Sequence, residues 1–348
     1  MEDGPRGEQL MRAVVFTPDG ERIEDRPEPV PEADEVLLQV EYCGICGSDL
    51  HAGQPDFHPG ATMGHEFSAT VLEPGSGVTG FVSGDRVVVN PNGDRCGRCR
   101  SCVRGEWNMC ARLQETAVGL ARNGGLAPLA AVRAQTLHRL PDSVDLASGA
   151  LVEPLAVALR TVRTSGFSVG QDAVVFGGGP IGLLVTTILR AAGAARITVV
   201  EPTPVRREIA LLQGATAVID PAQTPVEEVF ADAALAPRFA FECSGVAELV
   251  GQAVGVVRPH GTLTITGFSR RPPSFNAADL LFKEVTIRGS FIYVDEFEEA
   301  VDLLASGRAD VSRLITGVVT VQEAGEAFAQ MRTSAGAVKY LISDRHGS

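Results

Sequence analysis

A glycine cluster between an apolar run and a helix-like run constrains the fold more than any other segment. Residues 173–176 are apolar, the spacing G-x-G-x-x-G follows, and residues 180–192 have a helical pattern. A strand that turns directly into a helix in this way opens a βαβ unit, whose strands are parallel. Further elements are predicted as strands at 197–200, 216–219, 239–242 and 262–266 and as helices at 204–213 and 247–257. This alternation predicts a doubly wound parallel α/β sheet over residues 156–290.

The same glycines predict what the turn binds. In a Rossmann domain the first glycine permits a tight turn, the second lets the backbone approach a pyrophosphate, and the third lets the helix pack closely on the strand. The helix N-terminus adds free N–H groups and a positive dipole end. A strand–turn–helix without a ligand is the alternative, but the context favours a dinucleotide site. The predicted cofactor contacts in this turn are Gly177, Gly179, Pro180, Ile181 and Gly182.

Glu201 predicts which dinucleotide binds. It ends the second strand, nineteen residues after Gly182. A carboxylate there accepts hydrogen bonds from the adenosine ribose hydroxyls and repels a 2′-phosphate, so NAD is favoured over NADP. Arg206 and Arg207 follow closely, and an arginine in this region can accommodate that phosphate.

Cysteine spacing predicts a metal site. Four of the seven cysteines lie within fifteen residues as C-x2-C-x2-C-x7-C, an arrangement that argues against a disulfide framework. Four thiolates fill the tetrahedral coordination of zinc and leave no open position, so such a site is structural. An iron–sulfur cluster also takes four cysteines, but no redox partner motif accompanies these. The predicted ligands of a structural zinc are Cys96, Cys99, Cys102 and Cys110.

Three other segments predict a second, open metal site. They contribute Cys46, the pair His65 and Glu66, and Glu153. A cysteine, a histidine and a carboxylate, with a water, make the open coordination of a catalytic zinc. Cys43 and Cys46 could instead form a CxxC redox pair, but that motif expects a thioredoxin-like βαβ setting, and this region is rich in β-strand patterns. We therefore interpret Cys43 as a core thiol and Cys46 as the ligand.

The rest of the chain predicts one further domain that is discontinuous. Residues 1–155 contain short alternating runs, such as 36–40 and 86–89, split by turn residues, which indicates a mostly-β catalytic domain. Residues 291–348, with an amphipathic helix at 297–305, are predicted to return to it. The polar residues 1–10 are predicted to be a disordered tail.

Charge and hydropathy exclude two classes of function. The net charge is −13 and no block of basic residues occurs, so a nucleic-acid partner is not expected. No apolar run reaches the roughly 18 residues that a membrane-spanning helix needs, and the N-terminus does not resemble a signal peptide. We expect a cytoplasmic protein that acts on a small molecule.

Taken together, these motifs resemble the zinc-containing medium-chain dehydrogenase/reductase family, which includes the alcohol dehydrogenases. The resemblance covers residues 11–342 and is carried by G-I-C-G-S-D-L-H at 44–51, G-H-E at 64–66, the four-cysteine lobe and the glycine motif. Residues 152–159 resemble the polyol (sorbitol) and 2,3-butanediol dehydrogenase branch, whereas the ethanol-type branch usually has a cysteine in place of Glu153. One departure is visible at 124–129, where the family usually reads G-G-x-A-E-Y and a change of local packing is expected.

The resemblance implies a GroES-like first domain and roles for particular residues. Cys46 and His65 would be ligands of the catalytic zinc, and either Glu66 or Glu153 would take the carboxylate position or hold the water. Asp49 would orient a ligand histidine. The remaining implied contacts are Ser48 with the substrate hydroxyl, His51 in proton transfer, and the turn at Gly267 and Phe268 near the nicotinamide.

The function implied is a zinc-dependent oxidoreductase that transfers hydride between a secondary alcohol or polyol and NAD. Zinc would lower the pKa of the alcohol, and the nicotinamide would accept the hydride. A homo-oligomer, tetramer or dimer, is expected. One alternative is a biosynthetic dehydrogenase acting on a cyclitol, an amino sugar or threonine with the same zinc and NAD. Another is a non-catalytic nucleotide-binding protein, which predicts lost catalytic residues, whereas Cys46, His65 and Ser48 are present.

Overall fold

A computed structural model describes residues 9–51, 59–334 and 336–344, including the backbone but not the side chain of His51. Residues 1–8, most of the predicted tail, lie outside the described residues, and the first strand begins at Leu10. The chain divides into two compact units. One comprises Met1–Glu153, Phe297–Ala305 and Ile315–Ser348, and the other comprises Pro154–Glu296 and Ser306–Leu314. No helix in the described ranges is long and apolar enough to cross a membrane.

The first unit is built mainly of short strands. A seven-stranded sheet has the order β14-β15-β3-β4-β5-β7, with β6 paired to β3, and β1 and β2 form a separate hairpin. Its strands are β1 (Leu10–Thr17), β2 (Gly20–Pro27), β3 (Glu35–Gly44), β4 (Glu66–Pro74), β5 (Arg86–Val89), β6 (Leu129–Arg133), β7 (Leu137–Arg139), β14 (Ile315–Val319) and β15 (Lys339–Ile342). Its short helices are α1 (Arg100–Val103), α2 (Leu113–Thr116) and α3 (Leu146–Gly149), followed late in the chain by α10 (Glu296–Ala305) and α11 (Ala324–Thr333).

Strand β3 occupies the centre of this sheet. It pairs with β4, β6 and β15, and eight of its ten residues are buried. Val36, Leu37 and Leu38 are all fully buried although their side chains alternate between the two faces, so both faces of β3 are covered here and the apolar residues are consecutive rather than alternating. Around β3 the core includes Phe67 from β4 and Phe328 from α11.

The second unit is the predicted doubly wound α/β domain. Its six strands are all parallel, in the order β10-β9-β8-β11-β12-β13, which is the dinucleotide-binding order 3-2-1-4-5-6. The fold-class prediction is therefore confirmed. The strands are β8 (Asp172–Phe176), β9 (Arg196–Val200), β10 (Ala217–Ile219), β11 (Phe239–Glu242), β12 (Thr262–Ile265) and β13 (Thr286–Gly289). The helices are α4 (Val152–Ser165), α5 (Pro180–Ala191), α6 (Pro204–Leu212), α7 (Val226–Val229), α8 (Ala247–Val256) and α9 (Ala277–Lys283).

Two glycines make the turn between β8 and α5 possible. Gly177 has φ +98°, a left-handed conformation that residues with a Cβ rarely adopt. Gly182 lies in the first turn of α5, where a Cβ would stand 1.9 Å from the carbonyl oxygen of Gly177. The helix can therefore pack this closely on the strand only with glycine at position 182.

We expect Gly182→Ala to destabilise the second unit by roughly 1–3 kcal/mol, since backbone must move to admit the methyl group. Gly255→Ala is the matched control, because Gly255 also lies in a helix of this unit and its Cβ would meet nothing within 4 Å. That control should gain about 0.5–1 kcal/mol from the higher helix propensity of alanine. Denaturant unfolding of both variants measures the difference, and equal midpoints would contradict close packing at position 182.

Candidate active site and metal centres

Cys46, His65 and Glu66 converge in the first unit. Their ligand atoms all lie within 4.8 Å of one another. Strand β3 ends at Gly44, β4 begins at Glu66, and the antiparallel register places these two residues opposite each other. The residues just beyond the end of β3 therefore meet those at the start of β4. A thiol, an imidazole and a carboxylate at this separation fit three ligands of a metal whose fourth position stays open.

Asp49 is fully buried beside this group. Its Oδ2 accepts the N–H of Cys46 at 2.9 Å, and its Oδ1 lies 3.7 Å from Nδ1 of His65. Both Asp49 Oδ1 and His65 Nδ1 are buried and have no hydrogen bond within the described part of the chain. A small closure would join them, and a metal-ligating histidine commonly donates its other N–H to such a carboxylate. This unpartnered pair fits a metal on the opposite nitrogen.

The surroundings of His65 favour a cation on its ring. Burial lowers the pKa of His65, but Cys46, Asp49 and then Glu153 raise it by more, so the pKa of His65 lies well above its usual value. The pKa of Asp49 is also raised, and there burial is the cause. A site that strengthens proton binding by negative charge also strengthens the binding of a metal cation, so proton and metal compete at His65.

Ser48 and His51 follow Cys46 in the same loop. Ser48 is half-buried, and its Oγ is inaccessible and without a hydrogen bond among the described residues. Buried hydroxyls rarely lack a partner, so Ser48 is available to a bound hydroxyl group. The short 3₁₀ helix Asp49–His51 carries His51, whose side chain lies outside the described part of the chain.

Glu153, the second candidate carboxylate, stands apart from the three grouped ligands. It is buried in the first turn of α4 and is near enough to act on the pKa of His65. Yet it does not belong to the set of ligand atoms that lie within 4.8 Å of one another in the described chain. The geometry thus favours Glu66 over Glu153 as a direct ligand.

Lys339 is a member of the site that sequence reasoning missed. It is 1% exposed, and its Nζ lies 2.6 Å from Oε2 of Glu66. Burial lowers the pKa of Lys339, but Glu66 and Cys46 raise it by more, so the ammonium is retained. The available signal was a lysine inside the apolar run 337–342 of a chain with 28 arginines and only one other lysine.

The segment 124–129, where the sequence departs from the family pattern, contacts the chain next to His65 through its backbone. The N–H groups of Gly124, Gly125 and Leu126 donate to carbonyls of residues 62–64, just before His65, at 2.8–2.9 Å. Pro128 lacks an N–H but its carbonyl accepts from Val40 at 2.9 Å. These contacts use backbone groups and do not depend on the side chains in which the segment departs from the pattern.

The four cysteines of the lobe also converge. The sulfurs of Cys96, Cys99, Cys102 and Cys110 all lie within 4.8 Å of one another. The surrounding helices α1 and α2 have four residues each, and the apolar side chains Val103 and Met109 are exposed. A lobe with so little core needs another source of stability, and four thiolates around a zinc ion would supply it.

Backbone N–H groups point at these sulfurs. Cys99 N lies 3.4 Å from the sulfur of Cys96, and the nitrogens of Cys96 and Arg112 lie 3.5 Å from that of Cys110. Backbone hydrogen bonds from Ala111 and Cys102 lower the pKa of Cys99 to about 6. Donors that stabilise a thiolate prepare the group for a metal cation.

The glycine turn of the second unit leaves space for a phosphate. Gly179 is the N-cap of α5, and a Cβ there would meet nothing within 4 Å. Pro180 is the first residue of the helix, and no side chain caps the N-terminus. The open N–H groups and helix dipole therefore face a region that the described residues leave empty, as a pyrophosphate requires.

Glu201 lies beside this turn but is already engaged. Its Oε2 accepts the N–H of Gly178 at 2.7 Å, and its Oε1 accepts that of Thr203 at 2.9 Å. Each carboxylate oxygen has a further lone pair, so ribose hydroxyls can still donate to it. Arg207 donates to the carbonyl of Glu201 and pairs with Asp220, so its guanidinium already has partners within the second unit. Arg206 is half-buried on α6.

The turn after β12 presents an apolar ring. A Cβ on Gly267 would lie 2.3 Å from the nitrogen of Gly245 and 2.5 Å from Oε2 of Glu242, so the turn packs tightly. Phe268 is 71% exposed. Ligands of such sheets bind at the carboxyl ends of the strands, where this turn lies.

Two family models match the chain, one for each type of unit. Residues 32–142 match the alcohol dehydrogenase GroES-like domain, and residues 180–306 match the zinc-binding dehydrogenase domain. The chain is 37% identical over 336 residues to the protein named "Probable D-xylulose reductase A" of Aspergillus terreus, covering 92% of this chain and 94% of that one. This chain belongs to the zinc-binding alcohol dehydrogenase family. The predicted family and enzyme class are thereby confirmed.

Solved structures agree with this dehydrogenase over nearly its whole length. A zinc-binding dehydrogenase from Sinorhizobium meliloti 1021 bound to NADP has a TM-score of 0.91 and 34% identity, covering 97% of this chain and 100% of that one. The 2R,3R-butanediol dehydrogenase from Bacillus subtilis has a TM-score of 0.86 and 34% identity, covering 96% and 99%.

We expect Cys99→Ser to lower the stability of the dehydrogenase by several kcal/mol and to remove one zinc per chain, because the lobe then loses a thiolate ligand. Turnover per folded molecule should change less. Cys243→Ser, in the second unit and outside both ligand groups, is the control. Metal analysis and thermal melting measure both effects. A variant that melts normally but has lost turnover would contradict a structural role.

Proposed function

We propose that this dehydrogenase transfers hydride between a secondary alcohol, most specifically a polyol or vicinal diol, and NAD. The convergence of Cys46, His65 and Glu66 within 4.8 Å carries the proposal. The relatives named for D-xylulose and 2R,3R-butanediol support a substrate with neighbouring hydroxyl groups. The metal group lies in the first unit and the glycine turn in the second, and we propose that both act on the same substrate.

The ligands proposed for the catalytic zinc are Cys46, His65 and Glu66. A zinc ion there would supply a Lewis acid that makes an alcohol hydroxyl more acidic. Asp49 accepts the backbone N–H of Cys46 and is proposed to orient the imidazole of His65, whose Nδ1 lies 3.7 Å from its other carboxylate oxygen. Glu153, buried but outside the group, adds negative charge near His65.

Ser48 is proposed to accept a hydrogen bond from the substrate hydroxyl, because its own buried Oγ lacks another partner in the described chain. As Ser48 takes the substrate proton it gives up its own hydroxyl proton, which His51 is proposed to pass towards solvent. A bound NAD would accept the hydride at its nicotinamide ring. The residues proposed to hold NAD are Gly177, Gly179, Pro180, Ile181 and Gly182 at the pyrophosphate, Glu201 at the ribose, Arg206 nearby, and Gly267 and Phe268 at the nicotinamide end.

Glu201 supports NAD as the preferred cofactor. Its carboxylate is fixed by two backbone N–H groups and cannot easily swing away from a ribose bound beside the glycine turn. A 2′-phosphate would then face an anion held in place. The Sinorhizobium meliloti relative was bound to NADP, so NADP is tested beside NAD below.

We also propose a homo-oligomer, tetramer or dimer, in the cytoplasm. Leu281 and Phe282 on α9 are 71% and 82% exposed, which favours a partner surface on the second unit. The clustered thiols support a reducing compartment, where cysteines remain available to metals.

The first experiment is NAD reduction by the zinc-loaded protein against secondary alcohols, vicinal diols, polyols, cyclitols and threonine, with NADP in parallel. We expect turnover on vicinal diols or polyols. Turnover confined to cyclitols or threonine would replace this proposal with the biosynthetic alternative. Binding of zinc and NAD without turnover on any member would count against the proposed substrate class.

We expect Cys46→Ala to abolish turnover and lower catalytic metal content, yet to leave NAD affinity nearly intact because the nucleotide residues lie in the other unit. Cys43→Ala removes a buried thiol three residues earlier that is not in the ligand group, so this control should keep its metal. Metal analysis, calorimetric NAD binding and turnover distinguish the two. Normal turnover in Cys46→Ala would refute the proposed ligand.

We expect Glu201→Ala to reduce the ratio of kcat/KM for NAD to that for NADP by about tenfold, a change of roughly 1.4 kcal/mol. The reason is that the variant neither accepts from the ribose hydroxyls nor repels a 2′-phosphate. Glu208→Ala on the exposed face of α6 is the control for a simple change of net charge. An unchanged ratio in Glu201→Ala would show that this carboxylate does not read the ribose.

A further inference from the structure

A buried lysine contacts the proposed metal site from a distant part of the chain. Lys339 begins β15, is 1% exposed, and lies 273 residues after Glu66 in sequence. An ammonium at this depth loses its hydration, a cost that only close anionic and carbonyl acceptors offset. Its acceptors therefore indicate what it does there.

Lys339 has two acceptors, and both belong to the metal site or to its support. Its Nζ lies 2.6 Å from Oε2 of Glu66 and donates to the carbonyl of Ile45 at 2.9 Å. The N–H of Ile45 donates to the carbonyl of Tyr340 at 3.0 Å. The backbone N–H and C=O of Ile45, the residue just before Cys46, are thus both bonded to consecutive residues of β15.

The space for this ion pair is provided by a glycine. A Cβ on Gly44 would stand 2.4 Å from Oε2 of Glu66 and 3.4 Å from Cδ of Lys339. The backbone of Gly44 does not have positive φ, so conformation does not require glycine there. The residue is small because the carboxylate and the lysine occupy the volume that its side chain would fill.

Acidic groups lie close together at this end of the strands. Glu66, Asp49 and Cys46 are neighbours, and the ammonium of Lys339 lies against Glu66. A carboxylate that shares its charge with an ammonium donates less to a metal than one that does not. Lys339 pairs with Oε2 of Glu66, and the remaining lone pairs of the carboxylate would be available to a metal.

We propose that Lys339 is a positioning residue that makes Glu66 a weaker metal ligand by pairing with its carboxylate. The proposal rests on the proposed function, since it assumes a metal at Cys46, His65 and Glu66. A weaker carboxylate ligand leaves the ion more electron-poor and more easily released. Lys339 therefore lowers the affinity of the site for the metal and raises the Lewis acidity of the bound ion. It acts through Glu66 rather than on the substrate.

The test compares Lys339→Met with Lys283→Met in the zinc-loaded and cobalt-loaded full-length protein. Lys283 is the other lysine, and its Nζ donates to the carbonyls of Val254, Gly255 and Val257 in the second unit. In Lys339→Met we expect transfer of the catalytic metal to a chelator to slow on the order of tenfold, and kcat to fall by about the same factor. The visible cobalt spectrum should shift, while KM for NAD stays unchanged. Lys283→Met should leave the metal readouts as in the wild type.

Two further variants keep the test decisive if Lys339→Met folds poorly. Gly44→Ala retains the lysine but displaces the carboxylate from it, so it should change the cobalt spectrum and metal release in the same direction. Lys339→Arg should restore both readouts towards the wild type, since it keeps the charge.

A double variant shows whether Lys339 acts through Glu66. In a Glu66→Gln background, Lys339→Met should have no further effect on metal release. Additive effects, faster metal release in Lys339→Met, or a cobalt spectrum like that of the wild type would each overturn the proposal. If the wild type itself holds no metal that Cys46→Ala removes, the proposed metal site fails, which is a separate result from an unaltered Lys339→Met.

Discussion

Gly44 lies opposite Glu66 in the antiparallel pairing of β3 with β4, and the chemistry of the first unit depends on that register. The pairing places the loop that follows β3 against the segment that precedes β4, which brings Cys46 to His65. A slip of one residue would turn every side chain of the strand to the other face and separate the ligands. The buried apolar residues of β3 prevent such a slip, because they would have to leave the core.

The second unit meets the same need for convergence by a different route. Parallel strands end at one edge of the sheet, and Phe176, Val200 and Glu242 are aligned there in the hydrogen-bonding register. The glycine turn, Glu201 and the turn beginning at Cys243 follow these positions directly. Segments that are far apart in sequence thus meet without side-chain cross-links, because the backbone ladder positions them.

An ion pair joins strand β15, near the end of the chain, to the proposed metal site. Lys339 and Tyr340 of β15 bond the backbone C=O and N–H of Ile45, and the ammonium also pairs with Glu66. A carboxylate buried this deeply needs a cation or several donors, and Lys339 is that cation. This explains why a chain that uses arginine almost everywhere has a lysine here: a compact ammonium can serve one carboxylate oxygen and one carbonyl in a closed space.

Sequence patterns were sufficient to predict the class of each unit and to name the candidate residues, because those signals are local. The spacing of Gly177, Gly179 and Gly182 and the four-cysteine pattern report short-range backbone and coordination requirements, and the predicted α/β sheet was found. The carboxylate that lies with Cys46 and His65 became apparent from the folded chain: the sequence offers Glu66 and Glu153 equally, and among the described residues it is Glu66 that joins the group. The folded chain also revealed Lys339, whose role depends on a strand pairing between segments almost 300 residues apart, and no local pattern encodes such a pairing.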